Sequence, residues 1–154
     1  DKEISVSEVL KVGQYVDVFS ITKGKGFAST IRRFHVRIMS RKSNKTRRGI
    51  ATMGAKSPNN VMYNVPRAGQ LGFWQRYVRN LLVLKIGDDP KEVSSKGGFL
   101  RYGIVKGPYL LLAGSVAGTE KRPIRVRYPA RPPKAPVEEV PQITYVSLES
   151  PPGR

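Results

Sequence analysis

The sequence predicts a mainly β protein, a small closed or nearly closed barrel that carries a long, basic, irregular extension. Three observations predict it. Six or so short apolar stretches of strand length are separated by turns bearing Gly and Pro, with little that could sustain a helix. Between Met39 and Gln75, some 37 residues show no periodicity, a length that a compact domain tolerates only as a functional or disordered segment. Charge is concentrated in the same region: positions 18–87 hold 15 Lys and Arg and no acid.

In chain order, Ser5 to Leu10 places cap-type serines ahead of apolar residues and predicts one helical turn ended by Gly13. Gln14 to Ile21 reads as a strand buried on both sides, with Val16 and Val18 on one face and Tyr15, Phe19 and Ile21 on the other, interrupted by Asp17. Thr22 to Phe27 is a turn punctuated by Gly24 and Gly26. Arg33 to Ile38 then alternates basic with apolar, which fits a strand with one basic face, while Ile31, Phe34 and Ile38 also stand at helical spacing. Further strands are expected at Leu81–Ile86, Phe99–Val105, Tyr109–Ala113 and Ile124–Tyr128, with turns at Gly87–Pro90 and Gly107-Pro108. Pro129, Pro132, Pro133, Pro136 and Pro141 predict an extended crossing before a last short strand at Ile143–Leu148. The expected organisation is a first barrel strand within 1–22, a basic extension over 23–79, barrel strands over 80–128 and a Pro-rich crossing with a final strand over 129–154.

Composition excludes several kinds of chemistry. With no Cys there is no disulfide scaffold, thiolate metal site or thiol nucleophile. No apolar run approaches the roughly 18 residues of a membrane-spanning helix. His35 is the sole histidine, and no acid lies within seventeen residues of it on either side, so a Ser/His/Asp arrangement is not expected. Asp88-Asp89, flanked by Gly87 and Pro90, reads as a solvated turn and not as a metal or acid/base pair. The expectation is no enzyme, no cofactor, no metal site and no small-molecule substrate.

The net charge of +17 points to a polyanionic partner, and outside positions 18–87 the excess is only +2. Lys23, Lys25, Arg32, Arg33, Arg37, Arg41, Lys42, Lys45, Arg47, Arg48, Lys56, Arg67, Arg76 and Arg79 are interleaved with His35, Phe34, Tyr63, Phe73, Trp74 and Tyr77. Cations neutralise phosphate and planar groups stack on bases, so nucleic acid accounts for both halves of the pattern. Phe34 reads better as local core beneath the segment. A membrane surface would require an amphipathic helix that the Gly and Pro of this region forbid. No helix-turn-helix, zinc finger or basic zipper is present, and an irregular Gly-, Asn- and Arg-bearing segment suits folded RNA better than a regular groove. The Thr22–Gly26 turn has the character of an anion-binding loop but lacks the spacing of a nucleotide-triphosphate loop, and both a plain turn and a phosphate contact fit it.

Val18 through Arg33, Pro66-Arg67-Ala68-Gly69-Gln70-Leu71-Gly72 and Leu110 through Gly118 occur in order around this acid-free insertion. Together they resemble the universal third protein of the large ribosomal subunit in its archaeal form, over essentially Gln14 to Ser150. The resemblance implies a translation-factor-like β-barrel and a long extension into large-subunit (23S-type) rRNA. It also implies an early role in assembly, cytoplasmic ribosomes as the location and neighbouring large-subunit proteins as further partners. It implies an rRNA contact at Gln70, which stands where bacterial relatives carry a methylated Gln, and at Trp74, where His is frequent. The extension tip, near the peptidyl-transferase centre, corresponds to Ala55, Lys56, Ser57 and Pro58. Lys56 stands where archaeal and eukaryotic relatives usually have Trp, so a charge replaces a stacking ring and the tip is expected on phosphate or on a different RNA surface. Members are about twice as long, so the chain reads as a C-terminal portion. The rival readings are a nucleotide-binding, translation-factor-like module at Lys23–Gly26 and a DNA-compacting basic protein.

Overall fold

The computed structural model describes residues 4–43, 45–57, 59–134 and 140–149. It divides the chain into two compact units, 1–22 together with 75–154, and 23–74. In the first unit, α1 is a single turn (Val6–Val9) and β1 spans Tyr15–Ile21. The second unit holds β2 (Phe27–Ala28), α2 (Thr30–Phe34) and β3 (Gly69–Gln70). The chain returns to the first unit with β4 (Gln75–Gly87), a 3₁₀ turn (Pro90–Glu92), β5 (Tyr109–Leu112) and β6 (Arg125–Arg127).

The first unit is a four-stranded antiparallel sheet in the order β5-β4-β1-β6. Mainly β structure is therefore as expected. The closed or nearly closed barrel is not: among the described residues, β5 and β6 remain at opposite edges of one sheet. β1 is central, and its buried Val16, Asp17, Val18 and Ser20 match a strand covered on both sides. Val16, Val18 and Val83 are fully buried with Leu10, and Leu81, Ile86, Leu110, Leu112, Val116 and Val126 pack around them. Burying each of the three valines is worth about 1.5–3 kcal/mol.

Bulges shape β4. Val16 pairs with Leu81 but Val18 with Val78, so the longer strand holds an extra residue opposite Asp17, and Asn80 takes a left-handed conformation there (φ 55°). The bulge aims the Asn80 N–H at Asp17 Oδ1 (3.0 Å), Ala130 N–H donates to Oδ2 (2.9 Å), and the Tyr77 hydroxyl donates to Oδ2. Arg127 Nε lies 3.8 Å from the same oxygen. Burial pushes the Asp17 carboxyl up, but the Tyr77 hydroxyl, the Ala130 and Asn80 N–H groups and the Arg127 charge outweigh it and hold the group below its ordinary value. At the far end of β4, Gly87 faces Tyr109, whose ring would stand 2.5 Å from an added Cβ. Asp89 caps the 3₁₀ turn by accepting from Lys91 N–H (3.0 Å), which makes the Asp88-Asp89 pair part of a turn as expected.

Four sequence expectations are corrected. Residues 33–38 form no strand; Ser29 sits at the N-cap position of α2, and His35 ends the helix in a left-handed conformation (φ 58°), so the helical spacing of Ile31 and Phe34 prevails. Phe34 is exposed and not local core. Phe99–Val105 is a tight loop closed by one Phe99–Gly103 bridge, because Gly98, Arg101 and Gly103 all take positive φ, which an extended strand cannot contain. Ile143–Leu148 runs beside the fold without pairing as a strand; Leu148 O accepts from Lys96 N–H (3.2 Å). The strand expected at Leu81–Ile86 is longer, since β4 begins at Gln75. Part of the Pro-rich crossing, 135–139, lies outside the described residues.

Candidate nucleic-acid interface

The unit 23–74 has twelve Lys and Arg, no acid and very little interior. Among its described residues, Ala28 is the buried apolar side chain, beside Thr30, whereas Phe27, Tyr63 and Phe73 are exposed by 81%, 100% and 60%. Without a core, polar links near its base define it. β2 pairs with β3 (Phe27 with Gln70, Ala28 with Gly69), and the ladder continues through Lys25 N–H to Leu71 O and Leu71 N–H to Gly26 O, both 2.8 Å. Arg33 joins α2 to this ladder: Nε donates to Gln70 O (3.1 Å) and Nη1 to Arg67 O (2.9 Å). Gly69 packs beneath that guanidinium, where a Cβ would stand 3.1 Å from Nη1. Gly72 (φ 75°) is buried against the Lys23 carbonyl, 2.0 Å from where a Cβ would sit.

This ladder also bears on the Lys23–Gly26 turn. A phosphate nest directs successive backbone N–H groups at the anion, but Lys25 N–H is engaged by Leu71 O. The Lys25 N–H therefore belongs to the strand-end ladder and is not offered to an anion.

Lys23, Lys25, Arg32, His35, Arg37, Arg41, Lys42, Lys45, Arg47, Arg48, Lys56 and Arg67 are all exposed. Met39 N–H donates to Arg47 O (3.1 Å), and Arg48 Nη2 donates to Ser29 Oγ (3.3 Å). Ala55, Lys56 and Ser57 are exposed as well, and Pro58 lies outside the described residues. Arg33 and Trp74 are half-buried; Arg33 is committed to carbonyls of its own unit. The Gln70 side-chain amide donates to Leu71 O (3.2 Å) and Gly72 O (3.3 Å), bracing the turn after β3. Arg76 and Arg79 belong to β4 of the other unit, where both are exposed.

Two cations outside the basic block were not singled out from sequence. Arg122 Nη1 donates to Ile21 O (2.8 Å) and Thr22 O (2.9 Å), holding the end of β1. Arg127 Nη2 donates to the Tyr77 hydroxyl (2.8 Å) above Asp17. Nothing local in the sequence distinguishes either from the other arginines, because their partners lie 50 to 101 positions away. No group of three or more His, Cys, Asp or Glu gathers at metal-binding distance among the described residues, and no helix there is long and apolar enough to cross a membrane.

These features define a basic, mainly β protein in which residues 23–74 carry exposed cations and exposed rings. Residues 1–150 match the family described as ribosomal protein L3, and the chain belongs to that family. It is 47% identical to large ribosomal subunit protein uL3 of Pyrobaculum islandicum over 152 residues, which is 97% of this chain and 44% of that protein. The uL3 proteins of Thermoplasma acidophilum and Methanopyrus kandleri are 46% and 44% identical over 154 residues, 99% of this chain and 46% and 43% of theirs. The chain thus spans less than half the length of these relatives. The family is one of ribosomal proteins and not of enzymes.

Proposed function

We propose that the chain is a structural constituent of the large ribosomal subunit in the cytoplasm, and that residues 23–79 bind large-subunit rRNA. The resemblance extends the reading: support of early subunit assembly, a tip at 55–58 that approaches the peptidyl-transferase centre, and contacts with neighbouring large-subunit proteins. The observation that carries the RNA reading is the mismatch within 23–74 between twelve cations with no acid in the segment and, among the described residues, a single buried apolar side chain. Such a surface repels itself until a polyanion neutralises it, and release of condensed counterions from RNA drives that step. The exposed Phe27, Tyr63 and Phe73 add rings able to stack on unpaired bases.

Sedimentation of a cell extract after a wash at about 0.5 M salt tests the assignment, because a passenger held by phosphate contacts alone loses roughly 10³–10⁵ in affinity between 50 and 200 mM. Co-migration with the large subunit is expected. Recovery at the top of the gradient would return the chain to the class of loosely bound basic proteins, DNA-compacting ones included.

A further inference from the structure

We propose that the first unit has a second RNA site, separate from the basic extension: a cleft on the outer face of the sheet that takes one unpaired base stacked on Phe19. The proposal rests on the RNA-binding reading above and adds to it a place and a kind of nucleotide.

Antiparallel register places Phe19 of β1 between Tyr77 of β4 and Arg125 of β6, so all three side chains share one face. Tyr77 covers one side of the Phe19 ring, with centroids 4.5 Å apart and planes 10° from parallel. The Arg127 guanidinium carbon lies 5.0 Å from the Phe19 centroid and 5.2 Å from that of Tyr77. A point equidistant from two parallel rings sits beside their common edge, so Arg127 leaves the far side of Phe19 uncovered. Against Phe19 is a cleft of about 460 Å³ walled by Ile21, Gln75, Pro123, Ile124 and Arg125, within the usual range for small-ligand sites.

The chemistry of this cleft is that of a nucleotide. A base entering it would extend the Tyr77–Phe19 stack by one layer, between apolar walls at Ile21 and Ile124. The Gln75 amide can donate to and accept from a base edge, and the exposed Arg125 guanidinium can take the phosphate. Charge favours an anion: the carboxylate on this face, Asp17, is fully buried and spent on Tyr77, Asn80, Ala130 and Arg127. The interior of a duplex cannot use the site, because its bases are already stacked on both faces. An unpaired base is therefore its occupant.

The test compares the full chain with Phe19→Leu and Arg125→Gln in binding two RNAs at one salt concentration: single-stranded octauridylate and a hairpin of equal charge whose fully paired stem is closed by a non-nucleotide linker. Urea unfolding verifies that each variant is folded. Stacking on one aromatic side chain supports about a tenfold loss for octauridylate in Phe19→Leu, with hairpin affinity changed less than twofold. Photocrosslinking of 4-thiouridine-substituted octamer is expected in the peptide containing Phe19. Equal losses on both RNAs, no loss on either, or crosslinks confined to 23–74 would overturn the proposal. A charge-removing variant of Arg41, Lys42 and Lys45 separates the two readings: if it abolishes hairpin binding while Phe19→Leu changes nothing, the cleft alone is refuted, and if neither RNA binds the unmodified chain, the RNA reading itself fails.

Discussion

Asp17 is the residue on which the first unit depends most. It is a carboxylate with no exposure in the middle of a central strand, and such a group survives only when every acceptor site is used. Replacing it with Ala strands the Tyr77 hydroxyl and the Asn80 and Ala130 N–H groups, and is expected to cost about 3 kcal/mol in urea unfolding. A carboxyl held below its ordinary 3.8 in the fold contributes stability that is fully present above that value and lost as pH falls through the depressed one. The stability gap between the unmodified chain and Asp17→Asn should therefore be constant from pH 7 to about 5 and shrink below about 4. A gap that widens on acidification would contradict the assignment. Arg33 has a comparable role in the second unit. Lys cannot span two carbonyls with a planar fork, so Arg33→Lys is expected to reduce hydrogen-exchange protection at the Leu71 amide, the ladder donor nearest the clamp.

At the level of elements, the two-residue ladder of β2 and β3 is the structural base of the extension. So short a pair is marginal alone, and Gly72 lets the chain turn tightly onto the Lys23 carbonyl. Gly72→Ala both strains a left-handed backbone and drives a Cβ into that carbonyl, at a cost of about 2 kcal/mol to this unit. Amide exchange at Lys25 and Leu71 should speed up, while the β1–β4 amides of the other unit remain protected. Ladder formation in β4 depends instead on bulges at Asn80 and near Leu84, which let thirteen residues pair with two neighbours while bringing an N–H onto Asp17.

For the whole molecule, the contrast between the two units decides behaviour. One has a valine-centred core; the other has cations, rings and a short ladder. Segments with few buried apolar contacts open most readily, so trypsin is expected to cut the chain first between Arg41 and Arg48 in the absence of RNA, and to spare that run when large-subunit rRNA is bound. First cleavage within 75–87 would contradict this order. Binding should also weaken steeply with salt, each phosphate contact adding about 0.7–0.9 to the slope of log K against log salt.

The sequence by itself determined the features that depend on residue identity. Unopposed cations over 18–87, the absence of thiols, the lone His35 without a nearby acid and the two-sided apolar strand at β1 are all local and hold in any fold. A strand-sized apolar run at β5 and the alternation of Ile, Val and Tyr with Arg at β6 could also be read directly. Arg33–Ile38 was compatible with both periods, and contacts from far along the chain accompany the helix: the carbonyls of Arg67 and Gln70 receive Arg33. Only the tertiary structure decided that β5 and β6 stand at opposite edges of the sheet among the described residues, that Phe99–Gly103 turns back on itself and that Phe19, Tyr77 and Arg125 share a face. The same holds for Asp17, whose three hydrogen-bonding partners stand 60 to 113 residues away. A buried charge is legible in a sequence only as an interruption of a strand, because the groups that make it tolerable come together when the chain folds.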